Sequence, residues 1–173
     1  MRGFAVLVLL GLTSGCWESD NAAFQRAWEK DRQERIAGMR AATAQQSRGV
    51  DVVGENLRRL VAGKTHESVF TRTPSGERQR YVERSYFDPA GRFIYTNSLW
   101  ARDPQGRANA HWRVDGARLC IVNPDMTTEE QCYTVAVRPD GRVQYFIDAP
   151  GEETHGLLTK IPTTVHEGQL PPP

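Results

Sequence analysis

WRVDGARLCIVNPDMTTEEQCYTVAV, residues 112–137, is the stretch that decides the fold. Two strand-like runs, 117–123 and 131–138, flank a polar loop that holds Pro124, Asp125, Thr127 and Thr128. Each run carries one cysteine, Cys120 and Cys132. Asp115-Gly116 supplies a tight turn back to a third strand that ends in Trp112. Tyr133, Val135 and Val137 alternate with smaller or polar residues, as does Leu119 with Ile121, so each run offers one apolar face. This is the pattern of the core of an antiparallel β meander.

The same grammar extends in both directions. Thr73-Pro74-Ser75-Gly76, Asp88-Pro89-Ala90-Gly91, Asp103-Pro104-Gln105-Gly106 and Pro139-Asp140-Gly141 recur at short intervals. In such turns proline presets φ early and glycine accepts a positive φ later. Between them lie strand-like runs at 64–72, 78–87, 92–101, 107–114, 117–123, 131–138, 142–148 and 155–161. No helical pattern intervenes, which excludes a parallel sheet. Phe93, Tyr95 and Leu99 alternate against Ile94, Thr96 and Trp100, so that strand is expected to have a helix on its second face. The expected fold is mainly β: an antiparallel up-and-down meander of about eight strands forming a small barrel or half-barrel, preceded by one or two helices.

Upstream, residues 17–47 are rich in Ala, Gln, Glu and Arg and contain no proline. Phe24 and Trp28 stand at i,i+4, and Ile36 and Met39 at i,i+3, which makes a thin apolar stripe on a long helix. Residues 51–62 read as a second, short helix with Val53, Leu57, Leu60 and Val61 on one face and Gly63 at its C-terminal end. The expected divisions are 1–15 signal segment, 16–50 helical spacer, 51–161 β domain with its leading helix, and 162–173 a disordered Pro-rich tail.

The N-terminus accounts for the odd number of cysteines. Met1-Arg2-Gly3 is a short basic start, and the apolar run 4–12 is too short to span a bilayer of ~30 Å as a helix. It has the length of a signal-peptide core. Thr13-Ser14-Gly15-Cys16 follows and resembles a bacterial lipoprotein box, with Thr13 where leucine is usual. The resemblance implies lipid attachment at Cys16, a membrane anchor and a periplasmic location. Trp17 after the cysteine, in place of aspartate, points to the outer rather than the inner membrane. With Cys16 lipidated, Cys120 and Cys132 remain as a pair, and export to an oxidising compartment favours a disulfide between them.

Leu60-Val61-Ala62-Gly63-Lys64-Thr65 has the form L-x-x-G-x-T, and Trp112 to Cys120 the form W-x-x-x-G-x-x-L-C, with Cys132 soon after. In these motifs the chain, from Leu57 to about Ile161, resembles small secreted β-meander domains of proteobacteria that are lipocalin-like in outline and have no assigned activity. The G-x-W opening of true lipocalins is replaced by Gly63-Lys64-Thr65.

A reacting group is not legible. Lys+Arg 22 against Asp+Glu 21 leaves a net charge of +1, which gives no support to a nucleic-acid surface. His66, His111, His155 and His166 lack local metal-ligand spacing, so no metal and no cofactor is expected. There is no G-x-S-x-G, Ser68, Ser85 and Ser98 have no neighbouring base, and Glu67 with Glu83 is the one carboxylate pair to consider. The chain is therefore read as a non-enzyme.

Aromatic residues are the stronger signal. Tyr81, Tyr95 and Tyr145, with Arg80 and Arg84 at the rim, would suit a small amphipathic or anionic ligand or an envelope lipid. The alternative is an interaction module, an envelope-assembly accessory or inhibitor, acting on an envelope protein through the disulfide-closed loop 124–130.

Overall fold

The computed structural model describes residues 15–73, 76–99, 110–123, 127–159 and 161–173, leaving aside the side chains of 15–20 and 127–128. Residues 1–14 of the expected signal segment 1–15, Trp100, the turn at 103–106 and loop residues 124–126 lie outside the described residues. The chain forms two compact units, Met1–Gly38 and Met39–Pro173.

In the first unit the described residues belong to helix α1, Gly15–Gln45, which continues into the second. Exposed i,i+3 and i,i+4 pairs lace it: Arg32 with Glu29 at 3.2 Å, Arg35 with Asp31 at 3.2 Å and Lys30 with Glu34 at 3.8 Å. Each such pair contributes only tenths of a kcal/mol, about 0.3–0.5. Phe24 and Trp28 stand exposed. Among the described residues no helix is long and apolar enough to cross a membrane.

The second unit is the antiparallel β structure expected from the turn spacing. Its strands are β1 Val50–Val52, β2 Lys64–Phe70, β3 Tyr81–Phe87, β4 Phe93–Asn97, β5 His111–Asp115, β6 Arg118–Asn123, β7 Thr127–Val137, β8 Val143–Ile147 and β9 Thr164–Glu167, with helix α2, Gly54–Val61, after β1. They lie in two sheets, β4-β3-β2-β9 and β1-β7-β6-β5 with β8 also on β7. β1 and β8 both pair with residues 135–137 of β7, so they take opposite edges, and β1 lies end to end with β6.

The sheets are joined on both sides. Between β4 and β5, Arg92 bridges His111, Phe93 N–H donates to Ala110 O at 3.0 Å and Trp112 N–H to Gly91 O at 2.9 Å. On the other side, Val143 and Thr163 exchange hydrogen bonds of 2.9 and 2.8 Å, Phe146 bridges Leu158, and the same segment continues into β9 on β2. Every neighbour in this circuit is antiparallel. The turns 88–92, 116–117 and 138–142 therefore lie at one end, and the last residues of β2, β4, β6 and β8 at the other.

Three expectations need correction. The tail is not disordered: residues 164–167 form β9, Gly168 N–H donates to Gly63 O at 2.9 Å, and Leu170 N–H to Thr65 Oγ1 at 3.1 Å. The prolines that suggested disorder begin only at Pro171, after that pairing is complete. The strand expected at 155–161 is likewise displaced, since 153–156 is a turn. Second, the spacer does not extend to residue 50. From Met39 on, α1 belongs to the β unit, where Thr43 Oγ1 accepts from Leu158 N–H at 2.8 Å and Arg40 pairs with Glu153 at 2.7 Å. Residues 50–52 are a strand, not the start of the second helix. Third, β4 is backed not by a helix but by the tail: Ile94 and Thr96 share a shallow cleft of about 10 Å³ with Gln169, Leu170 and Pro172.

Tight backbone approaches fix these junctions. A Cβ on Gly49 would sit 2.2 Å from Val137 O, so only glycine lets the chain enter β1 there. Gly49 N–H donates to Oε1 of the fully buried Gln144 at 2.9 Å, and Gln144 Nε2 donates to Ser47 O at 3.2 Å. Gly63, at φ 75°, turns the chain from α2 into β2 and donates its N–H to Phe87 O at 2.7 Å.

Cys120 and Cys132 are direct cross-strand partners, with Cα atoms 4.0 Å apart, and form a disulfide. Closing a loop of this length stabilises by about 3 kcal/mol through the unfolded chain. Cys120→Ser should lower the melting temperature in oxidising buffer by about 5–10 °C, as read by circular dichroism. An unchanged melting temperature would show that the bond contributes nothing.

Candidate functional site

Strand pairing settles which side chains share the interior. His66, Ser68 and Phe70 of β2 lie opposite Ser85, Glu83 and Tyr81 of β3, and Phe93, Tyr95 and Asn97 of β4 lie opposite Phe87, Ser85 and Glu83. Across the ring the same face carries Trp112 and Val114, Leu119 and Ile121, Tyr133 and Val135, Val143 and Tyr145.

Toward the tight turns this interior is a packed apolar floor. Leu57 and Val61 of α2 join Phe87, Phe93, Trp112, Leu119, Val135 and Val143 in one cluster. Full burial of each such aliphatic side chain is worth about 1.5–3 kcal/mol, which holds α2 in place. Trp112 meets Phe87 edge-to-face, 5.7 Å between centroids, and donates its indole N–H to Asp88 O at 2.9 Å. The guanidinium of Arg92, then the Ala90 N–H, hold the Asp88 carboxyl below its usual range and fix that turn.

Toward the last residues of β2, β4, β6 and β8 the interior becomes polar. Tyr81 and Tyr95 place their hydroxyls 3.3 Å apart, with Glu83 on the same face between buried Ser68 and buried Asn97. Glu83, Tyr95, Tyr133, Ile121 and Ile147 are only half-buried. Burial, followed by the negative charge of Glu83, raises the pKa of Tyr95, and burial also raises that of Tyr81. Burial pushes Tyr133 up to about 12 and raises Tyr145, to which neighbouring Tyr133 adds.

His66 links the two halves. Its Nε2–H donates to Leu60 O at 3.1 Å, which satisfies a carbonyl in the last turn of α2, and Nδ1 shares a hydrogen bond of 2.5 Å with the Tyr145 hydroxyl. Rings continue from it in both directions, to Phe87 at 5.1 Å and through Tyr145 to Tyr133 at 6.1 Å.

Of the ligand-binding candidates, Tyr81, Tyr95 and Tyr145 share this interior, whereas the two arginines do not. Arg84 sits on the outer face, where it donates to Glu67 at 2.7 Å and to Pro171 O at 2.5 Å, and Arg80 is exposed ahead of β3. One step along a strand reverses the face, so Arg84 cannot rim a site built on Glu83 and Ser85. The same alternation separates Glu67 from Glu83 and dissolves that carboxylate pair.

The histidines do not converge. His66 is interior, His111 is exposed in β5, and His155 lies in a turn with Nδ1 3.6 Å from Asp148. His166 lies in β9, with Nε2 3.7 Å from Glu67. Among the described residues Cys120, Glu130 and Cys132 have metal-ligand spacing, but the two sulfurs are bonded to each other. Glu130 is engaged by a two-pronged contact from Arg113, both distances 2.8 Å. The Cys16 side chain lies outside the described residues.

Sequence reasoning passed over Glu83 and His66 as partners of the tyrosines. Alternation from Tyr81 to Glu83 was available as a signal, but which face turned inward was not. Comparison with protein-family models, curated proteins and solved structures finds no match.

The buried phenols make a testable statement. Their pKa values lie above the ~10 of free tyrosine, so above that pH the unfolded chain holds fewer protons than the folded one. Stability should therefore be flat up to about pH 10 and fall beyond it. In an absorbance titration at 295 nm, Tyr95, Tyr133 and Tyr145 should stay protonated at about pH 11 until denaturant is added. Ionisation of every tyrosine in the folded protein near pH 10 would contradict the packing.

Proposed function

We propose that this chain is a membrane-anchored periplasmic lipoprotein whose non-catalytic β domain binds a small amphipathic ligand in the loop-side half of its interior. One observation carries the reading: the interior is polarised. A floor sealed by α2 and the tight turns passes into a half-buried region of phenols, amides and one carboxylate where β2, β4, β6 and β8 end. Polar groups grouped beside apolar walls are what an amphipathic small molecule needs.

The anchor is supported by Thr13-Ser14-Gly15-Cys16 after a short apolar run, and Trp17 favours the outer membrane. A disulfide suits an oxidising compartment. Kinship with the small secreted β-meander domains is part of this reading and rests on the L-x-x-G-x-T and W-x-x-x-G-x-x-L-C motifs.

Two experiments test it. Radiolabelled palmitate should label the chain in bacterial cells, and Cys16→Ser should abolish both the label and release by a lipoprotein signal peptidase. Persistence of label in the variant would remove the anchor from the proposal. Native mass spectrometry of the Cys16→Ser full chain, followed by solvent extraction, should recover a small molecule near one per protein that Tyr95→Ala loses. A chain that never carries one, across envelope extracts, would turn the reading toward a protein partner.

A further inference from the structure

The outer face of β2, β3 and β4 is a groove that already has an occupant. Thr65, Tyr86 and Ile94 stand side by side across the three strands, and Glu67, Arg84 and Thr96 form the next row. Gln169, Leu170 and Pro172 of the tail share a shallow cleft with Thr65, Arg84, Tyr86, Ile94 and Thr96. Thr65 Oγ1 donates to Gly168 O at 2.7 Å and accepts from Leu170 N–H at 3.1 Å. Arg84, whose Nε donates to Glu67 at 2.7 Å, donates from Nη1 to Pro171 O at 2.5 Å. Residues 171–173 are prolines, so they bring carbonyl acceptors and no N–H. The groove matches that backbone, with a hydroxyl for the Leu170 N–H and a guanidinium for a prolyl carbonyl.

The occupant is held differently from the strand that leads to it. β9 is paired to β2 from Thr164 to Glu167, and Gly168 N–H adds one more backbone bond, to Gly63 O at 2.9 Å. Gly168, at φ 73°, then turns the chain away from the ladder. Among the described residues, side-chain groups alone bond the backbone beyond it. Leu170 is half-buried, and Pro171 and Pro172 are exposed. A segment with so little burial and no ladder opens locally while β9 stays paired.

We propose that this outer face is a docking groove for an extended leucine–proline segment of a protein partner, and that residues 169–173 fill it in cis as a competitor. The groove lies on the opposite side of β3 from the tyrosines and does not depend on the interior binding reading. A partner's leucine takes the place of Leu170 in the cleft lined by Tyr86 and Ile94, and its prolyl carbonyl takes the place of Pro171 on Arg84. Proline-rich segments suit such a groove because they are extended before they bind and lose little freedom on docking. The seated tail shows which chemistry the face accepts, and Gly168 is the hinge on which that tail leaves.

The probe is the peptide GQLPPP, the sequence of residues 168–173, offered in trans to the Cys16→Ser full chain. In hydrogen exchange followed by NMR, and relative to intrinsic rates, the Leu170 amide should exchange about tenfold faster than that of Gly168. Excess peptide should speed Leu170 further, by displacing the tail, and leave Gly168 unchanged. Equal protection of the two amides would overturn the release of the tail, and a Leu170 rate indifferent to peptide would overturn the docking. In fluorescence anisotropy, labelled peptide should bind the Leu170→Ser variant about tenfold more tightly, because the cis competitor is weakened. Adding Thr65→Val, which keeps the shape and removes the hydroxyl, should weaken that binding about tenfold, as should serine in place of the peptide's leucine. Binding to neither chain, or equal binding to both, would overturn the proposal. Binding indifferent to Thr65→Val and to the peptide's leucine would place the peptide elsewhere and overturn the groove. The exchange experiment needs no change in the groove or the tail, so it decides alone if a variant does not fold.

Discussion

The β unit depends on the pairing that carries the chain from β8 back to β2. Without residues 158–167, β2 and β8 would each present a row of open backbone donors and acceptors. Such edges recruit other chains and lose the cooperativity of a closed set of strands. Thr163 is the pivot. Both its backbone groups bond to Val143, its side chain is buried, and from the next residue, Thr164, the same segment is paired to β2. A circuit in which every neighbour is antiparallel then gathers the turns 88–92, 116–117 and 138–142 at one end.

The floor and the loop-side region are governed by different energetics. The floor is a dispersion-packed cluster in which α2 fills one end of the sheet circuit, and its stability scales with the apolar area removed from water. The loop-side half depends on paired polar groups, whose net worth is modest while paired and whose loss is costly. His66 couples the two, capping α2 with one nitrogen and sharing a hydrogen bond with the Tyr145 hydroxyl at the other. A change in the phenolic half is thus felt by the helix that seals the floor.

Outside the circuit, two coverings complete the unit. The end of α1 and residues 157–158 lie on the outer face of β7 and β8, where Ala136, Phe146 and Leu158 form a second small cluster and Arg48 stacks on Phe146 at 4.2 Å. The tail covers the outer face of β2 to β4, held by Thr65 and Arg84. That explains why β4 carries apolar residues on both sides, a pattern that in sequence suggested a helix. A segment with three terminal prolines covers a sheet face well, since it offers few backbone donors of its own to leave unsatisfied.

The amino-acid sequence by itself determined the strands from β2 to β8 and the apolar faces of β6, β7 and β8, because alternation and turn chemistry act within a few residues, and the cysteine count left Cys120 with Cys132 as the pair. It also supplied Tyr81, Tyr95 and Tyr145 as residues worth following. It did not determine that β1 exists, since three residues are too short to show a period. Nor did it determine that the tail closes the circuit, since pairing of Thr163 with Val143 or of His166 with Thr65 is a long-range choice that leaves no local mark. Only the tertiary structure decided which side of β3 turns inward, and so why Glu83 belongs with the tyrosines and Arg84 does not. A one-residue step flips every side chain to the other face, and what fixes that step is the packing of Phe87 against Trp112 and of His66 against Tyr145, brought together from opposite sides of the sheet circuit.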